Sequence, residues 1–388
     1  MTSTVSTDPH DPLHMNTERR FTVGVEEEFV LIDPDSGEPS LTNTLVAAQP
    51  CDVELQLELS RCQIETCTPV CTNIPQLHHE IRQARSAAAA AAARTGSRIL
   101  ATGVPLWAPP PGSITDTPRY HRMAERFGLL AEQVICGCHV HVGLADRELA
   151  AQVSNHIRPW LPTLLALTAN SPITAGTDTG HASWRHQLWA RWPSAGPPPY
   201  FDSADHYDEI VADLADSGRI LDTRMVYWDV RLSAHLPTIE IRISDVPATT
   251  TETALLATLI RALVITSVTA LEKGWLAAPV DQTLLQTACH TAARHGLTGP
   301  QARTTPGDPV PTHGPTAHLL AYLRPALEES GDYEFARVAL TSVLIHGNGA
   351  VRQRNAHHTG DLRHVQDVIS RLTTQDCDLE PDDTASPW

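Results

Sequence analysis

The chain has 388 residues, 41% of them hydrophobic, and 28 basic against 45 acidic residues give it a net charge of −17. That length can bury a substantial core, and the acidic balance disfavours nucleic acid and anionic membrane surfaces as partners, leaving small molecules. The single lysine, Lys273 in "LEKGW", removes whole classes of chemistry: neither a Gly-Lys-Ser/Thr phosphate loop nor a kinase strand lysine can be written, and Lys273 sits in no recognisable Schiff-base site.

In chain order, residues 1–19 are polar and read as a disordered tail with no charged-then-apolar leader, so a cytoplasmic protein is expected. Strand-like segments follow at 21–32, 53–59 and 62–67. Pro75 then opens an Ala-rich helix that ends at Gly96. "RILATGVP" and "GCHVHVGL" read as strands flanking a short helix near 119–132. A helix over 147–169, interrupted by Pro159 and Pro162, leads into a Gly/Pro-rich loop over 171–204. "ADHYDEIVADLADSG" is a helix stopped by Gly218, "RMVYWDVRLS" and "PTIEIRISDV" are strands, and residues 250–374 are mostly helical. The apolar run Ala254–Leu271 is a core helix and not a membrane span, because Arg261 and several threonines interrupt it. Strands and helices do not alternate strictly. That predicts an α+β domain with a mainly antiparallel sheet over residues 20–375, followed by an acidic tail over 376–388.

Side chains alternate between the faces of a strand, so Glu26 and Glu28 of "GVEEEF" share one face roughly 7 Å apart, while Glu27 joins Val25 and Phe29 on the other. The pattern recurs. In "VELQLEL", Leu55, Leu57 and Leu59 oppose Glu54, Gln56 and Glu58; in "CQIETC", Gln63 and Glu65 share a face; in "GCHVHVGL", His139 and His141 oppose Val140 and Val142; in "TIEIRIS", Glu240 and Arg242 oppose three isoleucines. Any one of these is readily a half-buried strand with a wet face. Together they repeat carboxylates and histidines where a solvated sheet would mix Thr, Lys, Ser and Gln. As neighbours, Glu26, Glu28, Glu58, Glu65 and Glu240 would repel one another and raise their own pKa values. Divalent cations relieve that, and an oxygen-rich set with one or two imidazoles suits Mg²⁺ or Mn²⁺ better than Zn²⁺. Glu27 needs a separate partner, such as a buried arginine.

Eight cysteines are too few for a disulfide scaffold, and the trio Cys62, Cys67 and Cys71 lacks the paired spacing of a zinc site, so core thiols are expected. Neither G-x-S-x-G nor G-x-G-x-x-G is present. Arg242 beside Glu240 can hold a transferring phosphoryl group, or form a cross-strand ion pair. Arg191 and Arg231, near loop ends, can bind a carboxylate bidentately or serve the fold.

"GVEEEF", "ETCTPVC" after "LEL", "CGCHVHVGL", "NSPITAGTDTG", "RWPSAGPPPYF" and "YWDVRLSAHLPTIEIRISDV" resemble, in order over about residues 21–270, the glutamate–cysteine ligase type 2 or carboxylate–amine ligase family. The resemblance implies a glutamine synthetase-like fold. It also implies ATP-dependent phosphorylation of the γ-carboxyl of L-glutamate, and attack by an amino-acid amine to give a γ-glutamyl dipeptide, ADP and phosphate. It would make Glu26, Glu28, Glu58, Glu65, His139 and Glu240 the Mg²⁺ or Mn²⁺ ligands and Arg242 the phosphate contact, with Arg352 and Arg354 for the nucleotide; Arg191 and Arg231, from their residue type and loop-end positions, are expected to bind substrate. Near those last two, Gly347 of "HGNGAVRQRNAHHTGDL" stands where the family pattern has an acid. The acceptor is cysteine or another amino acid, and a homodimer is an option left open. An amide hydrolase that activates water on the same acidic cluster, or a ligand-binding relative without turnover, are the alternatives; Arg242 on the acidic face counts against the first.

Overall fold

The alternating residues of "VGVEEEFVLI" form β1 (Val23–Ile32), the strand around which the sheet is built. The computed structural model describes residues 21–299 and 314–377, so the expected N-terminal tail and all but the first two residues of the acidic C-terminal tail lie outside the described residues. After β1 come α1 (Asn43–Ala47), β2 (Leu55–Leu57), β3 (Gln63–Cys67), α2 (Ile74–Arg94), β4 (Arg98–Leu100), α3 (Pro118–Phe127) and β5 (Gly137–Gly143). The middle of the chain adds α4 (Arg147–Ile157), α5 (Leu161–Thr168), the small hairpin β6 (Ile173–Thr174) and β7 (Thr177–Asp178), α6 (Trp184–Trp189) and α7 (Ala204–Asp216). The last two strands, β8 (Val230–Leu232) and β9 (Thr238–Asp245), precede the helices α8 (Thr250–Glu272), α9 (Gln282–His295), α10 (Gly314–Glu329), α11 (Tyr333–His346), α12 (Gly349–Thr359) and α13 (Leu362–Thr373).

The main sheet runs β2-β3-β1-β5-β9-β8, antiparallel throughout, with β4 also paired to β1. This is the α+β arrangement that the uneven order of elements predicts. Three expectations need correcting. The segment over 171–204 is not loop alone: Ser183 caps α6 by accepting from the His186 N–H, and the β6–β7 hairpin precedes it. "RMVYWDVRLS" is strand only over Val230–Leu232, because Met225, Tyr227 and Trp228 turn into an aromatic cluster. The alternation in "VELQLEL" ends with β2 at Leu57, so Leu59 does not join Leu55 on the buried face; it lines the same cleft as Glu58.

One face of the sheet is apolar. Val23 and Val25 of β1, Cys138, Val140 and Val142 of β5, and Ile239, Ile241 and Ile243 of β9 pack in one core with α8. Each such side chain contributes about 1.5–3 kcal/mol by leaving water. Helix α8 is the one helix among the described residues long and apolar enough to cross a membrane, and 78% of its most apolar window is buried inside the protein. It is the core helix that its interrupting Arg261 and threonines predict. Lys273, just beyond its end, stands over the exposed Trp275 ring.

Glu27 points into this core, and its partner is Arg85 of α2. Arg85 donates through Nε to Glu27 Oε2 (2.9 Å) and through Nη2 to Oε1 (2.6 Å), and the Thr253 hydroxyl of α8 donates to the same Oε1 (2.6 Å). The guanidinium also donates to the carbonyls of Pro247 (2.9 Å), Ala248 (3.2 Å) and Thr373 (3.1 Å), so its donors are well used although it is fully buried. Removing one partner of a buried pair strands the other charge. Glu27→Gln should therefore lower unfolding stability by about 3–5 kcal/mol, measured by denaturant titration, and a loss below about 1 kcal/mol would contradict this role.

Candidate active site

Register brings the polar face together. Across β1 and β3, Glu28 pairs with Glu65 and Glu26 with Cys67; across β1 and β5, Glu26 pairs with His139; across β5 and β9, His141 pairs with Glu240; and Arg231 of β8 pairs with Glu240. A register shift between Cys138 and Val140 in the β5–β9 pair lies where Arg242 meets His139, at 3.4 Å from Nη1 to Nδ1. The result is a cleft of about 390 Å³. All six acidic or histidine residues expected to hold metal line it, as do Arg231 and Arg242.

The structure does not bring in the others. Arg191 is exposed beyond α6 and lies outside the cleft. Arg352 is held by Glu252 at the start of α8, and Arg354 by Asp178 of β7 (Nε–Oδ2 2.9 Å), so neither reaches it. Gly347, where an acid was expected, ends α11 with φ +81°, a conformation that disfavours any side chain.

Three sets of side chains have ligand atoms close enough to share a cation: Glu28, Glu58 and Glu65; Glu26, His141 and Glu240; and Glu26, Glu65 and Cys67. The first is all carboxylate and the second adds one imidazole, a donor chemistry that fits Mg²⁺ or Mn²⁺. Cys67 departs from the expectation of core thiols. Its Sγ lies 3.4 Å from Glu65 Oε1 on the acidic face, whereas Cys62, Cys71, Cys136, Cys138 and Cys289 are buried, and all eight cysteines are free.

The electrostatics divide the cleft in two. Burial works against the charges of Glu26 and Glu240, yet the hydrogen bond with His139 and the close approach of His141 hold the Glu26 carboxyl far below the usual range, and Arg242 and Arg231 do the same for Glu240. His139 Nδ1 lies 3.0 Å from Glu26 Oε2 and His141 Nε2 lies 3.2 Å from Oε1. Burial lowers His139, with Arg242 adding to the effect, whereas the contacts of His141 with Glu26 and Glu240 overcome its burial and raise it. In the other half, burial and then the Glu58 charge raise both Glu28 and Glu65. In that half burial and like charge outweigh the pull of His139, Arg185 and the Gly137 N–H on Glu28.

A model of glutamate–cysteine ligase family 2 matches residues 22–367. The chain belongs to that family. Its similarity to individual members is extensive: it is 50% identical over 366 residues to a Nocardia farcinica protein provisionally named glutamate–cysteine ligase 2-1, covering 93% of this chain and 95% of that one. It is 51% identical over 352 residues to the provisionally named glutamate–cysteine ligase 2-2 of Mycolicibacterium vanbaalenii, covering 90% and 96%. Among solved structures, glutamate–cysteine ligase from Francisella tularensis in complex with AMP superposes with a TM-score of 0.70 at 13% identity, over 93% of this chain and 90% of that one. A bifunctional glutathione synthetase from Pasteurella multocida gives 0.67 at 16% identity and 92% coverage, this chain spanning 52% of that protein. The chain therefore shares the fold of those two ligases. As a member of glutamate–cysteine ligase family 2 the chain is an ATP-dependent carbon–nitrogen ligase.

Sequence reasoning missed part of this family site. His141 sat in plain view on the face of His139. Arg119, Tyr120, Arg185, Trp189, Trp192 and Tyr227 share the lining, and the signal for Arg185 and Trp189 was their four-residue helical spacing, hidden because the segment reads as loop. Also missed was Asp229, just before β8. It is wholly buried, its two carboxyl oxygens have no hydrogen-bond partner, and burial pushes it up to about 7 against the pull of Arg185 and Arg242. The folded protein thus keeps a proton that the unfolded chain releases from the ordinary carboxyl range upward, so stability falls as pH rises toward about 7. Asp229→Asn should be more stable than the wild type at about pH 8 by up to about 4 kcal/mol, with the difference closing toward about pH 4. A pH-independent difference would contradict this.

Proposed function

We propose that the protein joins the γ-carboxyl of L-glutamate to the amino group of an amino acid, with ATP and Mg²⁺ or Mn²⁺. The observation that carries the reading is the union, on one sheet face, of three cation-sized donor sets with the arginines Arg231 and Arg242. A γ-carboxylate oxygen attacks the γ-phosphorus of ATP, the bond to the β-phosphate oxygen breaks, and ADP leaves. The amine nitrogen then attacks the acyl carbon, the bond to the phosphate oxygen breaks, phosphate leaves and the amine gives up a proton. Divalent cations would be held by Glu26, Glu28, Glu58, Glu65, His139, His141 and Glu240, and would supply charge neutralisation for the phosphate oxygens.

The chain's own groups supply the rest. Arg242 presents its guanidinium beside His139 at the floor, fixed by Glu240, while Arg231 grips Glu240 bidentately (2.7 and 3.1 Å) and keeps that carboxylate ionised. Trp189, Trp192 and Tyr227 wall the cleft and limit water at the acyl intermediate. A cytoplasmic location and a single ligase domain over residues 20–375 belong to the same proposal.

Incubation with ATP, Mg²⁺, L-glutamate and a panel of amino acids should yield ADP and a γ-glutamyl dipeptide, detected by mass spectrometry; folded, metal-supplemented protein that forms no product with any amine would overturn the reading. Glu65→Gln gives a second check, because the acidic half destabilises itself until a cation binds. The variant should melt at a higher temperature than the wild type without metal, lose the thermal shift on adding Mg²⁺, and lose activity by at least about 10- to 100-fold, the cost typical even of groups that only support a metal ligand. A Glu65→Gln protein that keeps both its Mg²⁺ shift and its turnover excludes Glu65 from the metal set.

A further inference from the structure

The arginines that line the cleft are not equally free. Asp222 holds Arg119 bidentately (3.0 and 3.2 Å), Glu240 holds both Arg231 and Arg242, and Arg224 is exposed at the mouth with its Nε on His235 Nε2 (3.2 Å). Arg185 differs. It is 2% exposed, yet among the described residues no carboxylate pairs with it. Its Nη1 and Nη2 make only long contacts, 3.4 Å each, to the carbonyls of Ile243 and Arg242, and its buried Nε has no partner. Asp229, whose charge it feels, has both oxygens unbonded. A buried guanidinium with five donors and two weak acceptors is costly to the empty protein, and an anion that fills the fork removes that cost.

The chain also makes room for it. A Cβ on Gly137 would lie 2.2 Å from Arg185 Nη2 and 2.8 Å from Cζ, so the first residue of β5 has to be glycine for the guanidinium to lie there. The Gly137 N–H donates to Glu28 Oε2 at 2.6 Å, which sets the fork beside the Glu28, Glu58 and Glu65 set. On its other side the guanidinium carbon lies 5.8 Å from the Trp189 ring centroid.

We propose that Arg185 is the residue that grips the phosphoryl group during transfer, through a fork kept free of carboxylates and set beside the acidic metal set. A phosphoryl group has three non-bridging oxygens, enough to meet the fork and the neighbouring cations together. The proposal rests on the ligase reading above, and adds that the charge-paired Arg242 is the lesser phosphate contact.

The test is isothermal titration of the full-length, Mg²⁺-loaded protein with inorganic phosphate and, separately, with L-glutamate, with no amine present. Arg185→Gln should weaken phosphate binding by at least about 10-fold and leave glutamate binding within about 3-fold. If Arg185→Gln does not fold by circular dichroism, Arg185→Lys carries the test: it keeps the charge and loses the fork, and should show the same selective loss. Unchanged phosphate binding in the folded variant, an equal loss for glutamate, or wild-type protein that binds no phosphate would each overturn the assignment. Phosphate binding that depends on Arg185 in a protein that forms no dipeptide would instead sink the ligase reading and leave this site standing.

Discussion

The bidentate pair of Glu27 and Arg85 fixes the strand on which the site depends. Glu26 and Glu28 can face the cleft only if the residue between them is accommodated in the core, and a lone carboxylate there would be prohibitive. Arg85 and Thr253 satisfy it, and the remaining donors of Arg85 reach the start of α8 and the end of α13. One ion pair therefore ties α2, α8 and the C-terminal helix to the back of β1, and sets the height of the acidic face above them. Arg85 is raised despite its burial because Glu27 faces it directly.

The cleft above that strand is built from opposed electrostatic environments. Glu26 and Glu240 are compensated by histidines and arginines and stay ionised, whereas burial and then the Glu58 charge push Glu28 and Glu65 upward, against the pull of His139, Arg185 and the Gly137 N–H on Glu28. The first half is complete as folded. The second holds like groups together at a stability cost that a cation would remove under the proposed function, the usual relation between an active site and the stability of its fold. Arg185 and Asp229 extend this contrast one layer deeper, as a buried cation and a buried acid that do not neutralise each other by a direct bond.

Much of this was legible in the residue order because a strand has a period of two. The alternation in "GVEEEF", "CQIETC", "GCHVHVGL" and "TIEIRIS" picked out side chains that line the cleft, and the likeness of several ordered motifs carried the family. It failed where strands stop early: Leu59 crosses into the cleft once β2 ends, and α6 lay hidden in a Gly/Pro-rich segment whose composition masks its Ser183 cap. Arg191, Arg352 and Arg354 were selected by residue type and motif neighbourhood, and such arguments do not report direction. Arg352 and Arg354 found carboxylates elsewhere and Arg191 found solvent.

By itself, the sequence determined which residues of a continuous strand share a face, the acidic character of one such set, the apolar burial of α8 and the absence of lysine-based phosphate binding. These follow from local periodicity and composition. Only the tertiary structure decided that Arg85 is the partner of Glu27, 58 positions away, that Glu240 carries two arginines, and that Arg185 is left without a carboxylate beside Glu28. Such pairings depend on strand order and register between segments far apart in the chain, and a shift of one residue in any of them would turn the same side chains to the opposite face.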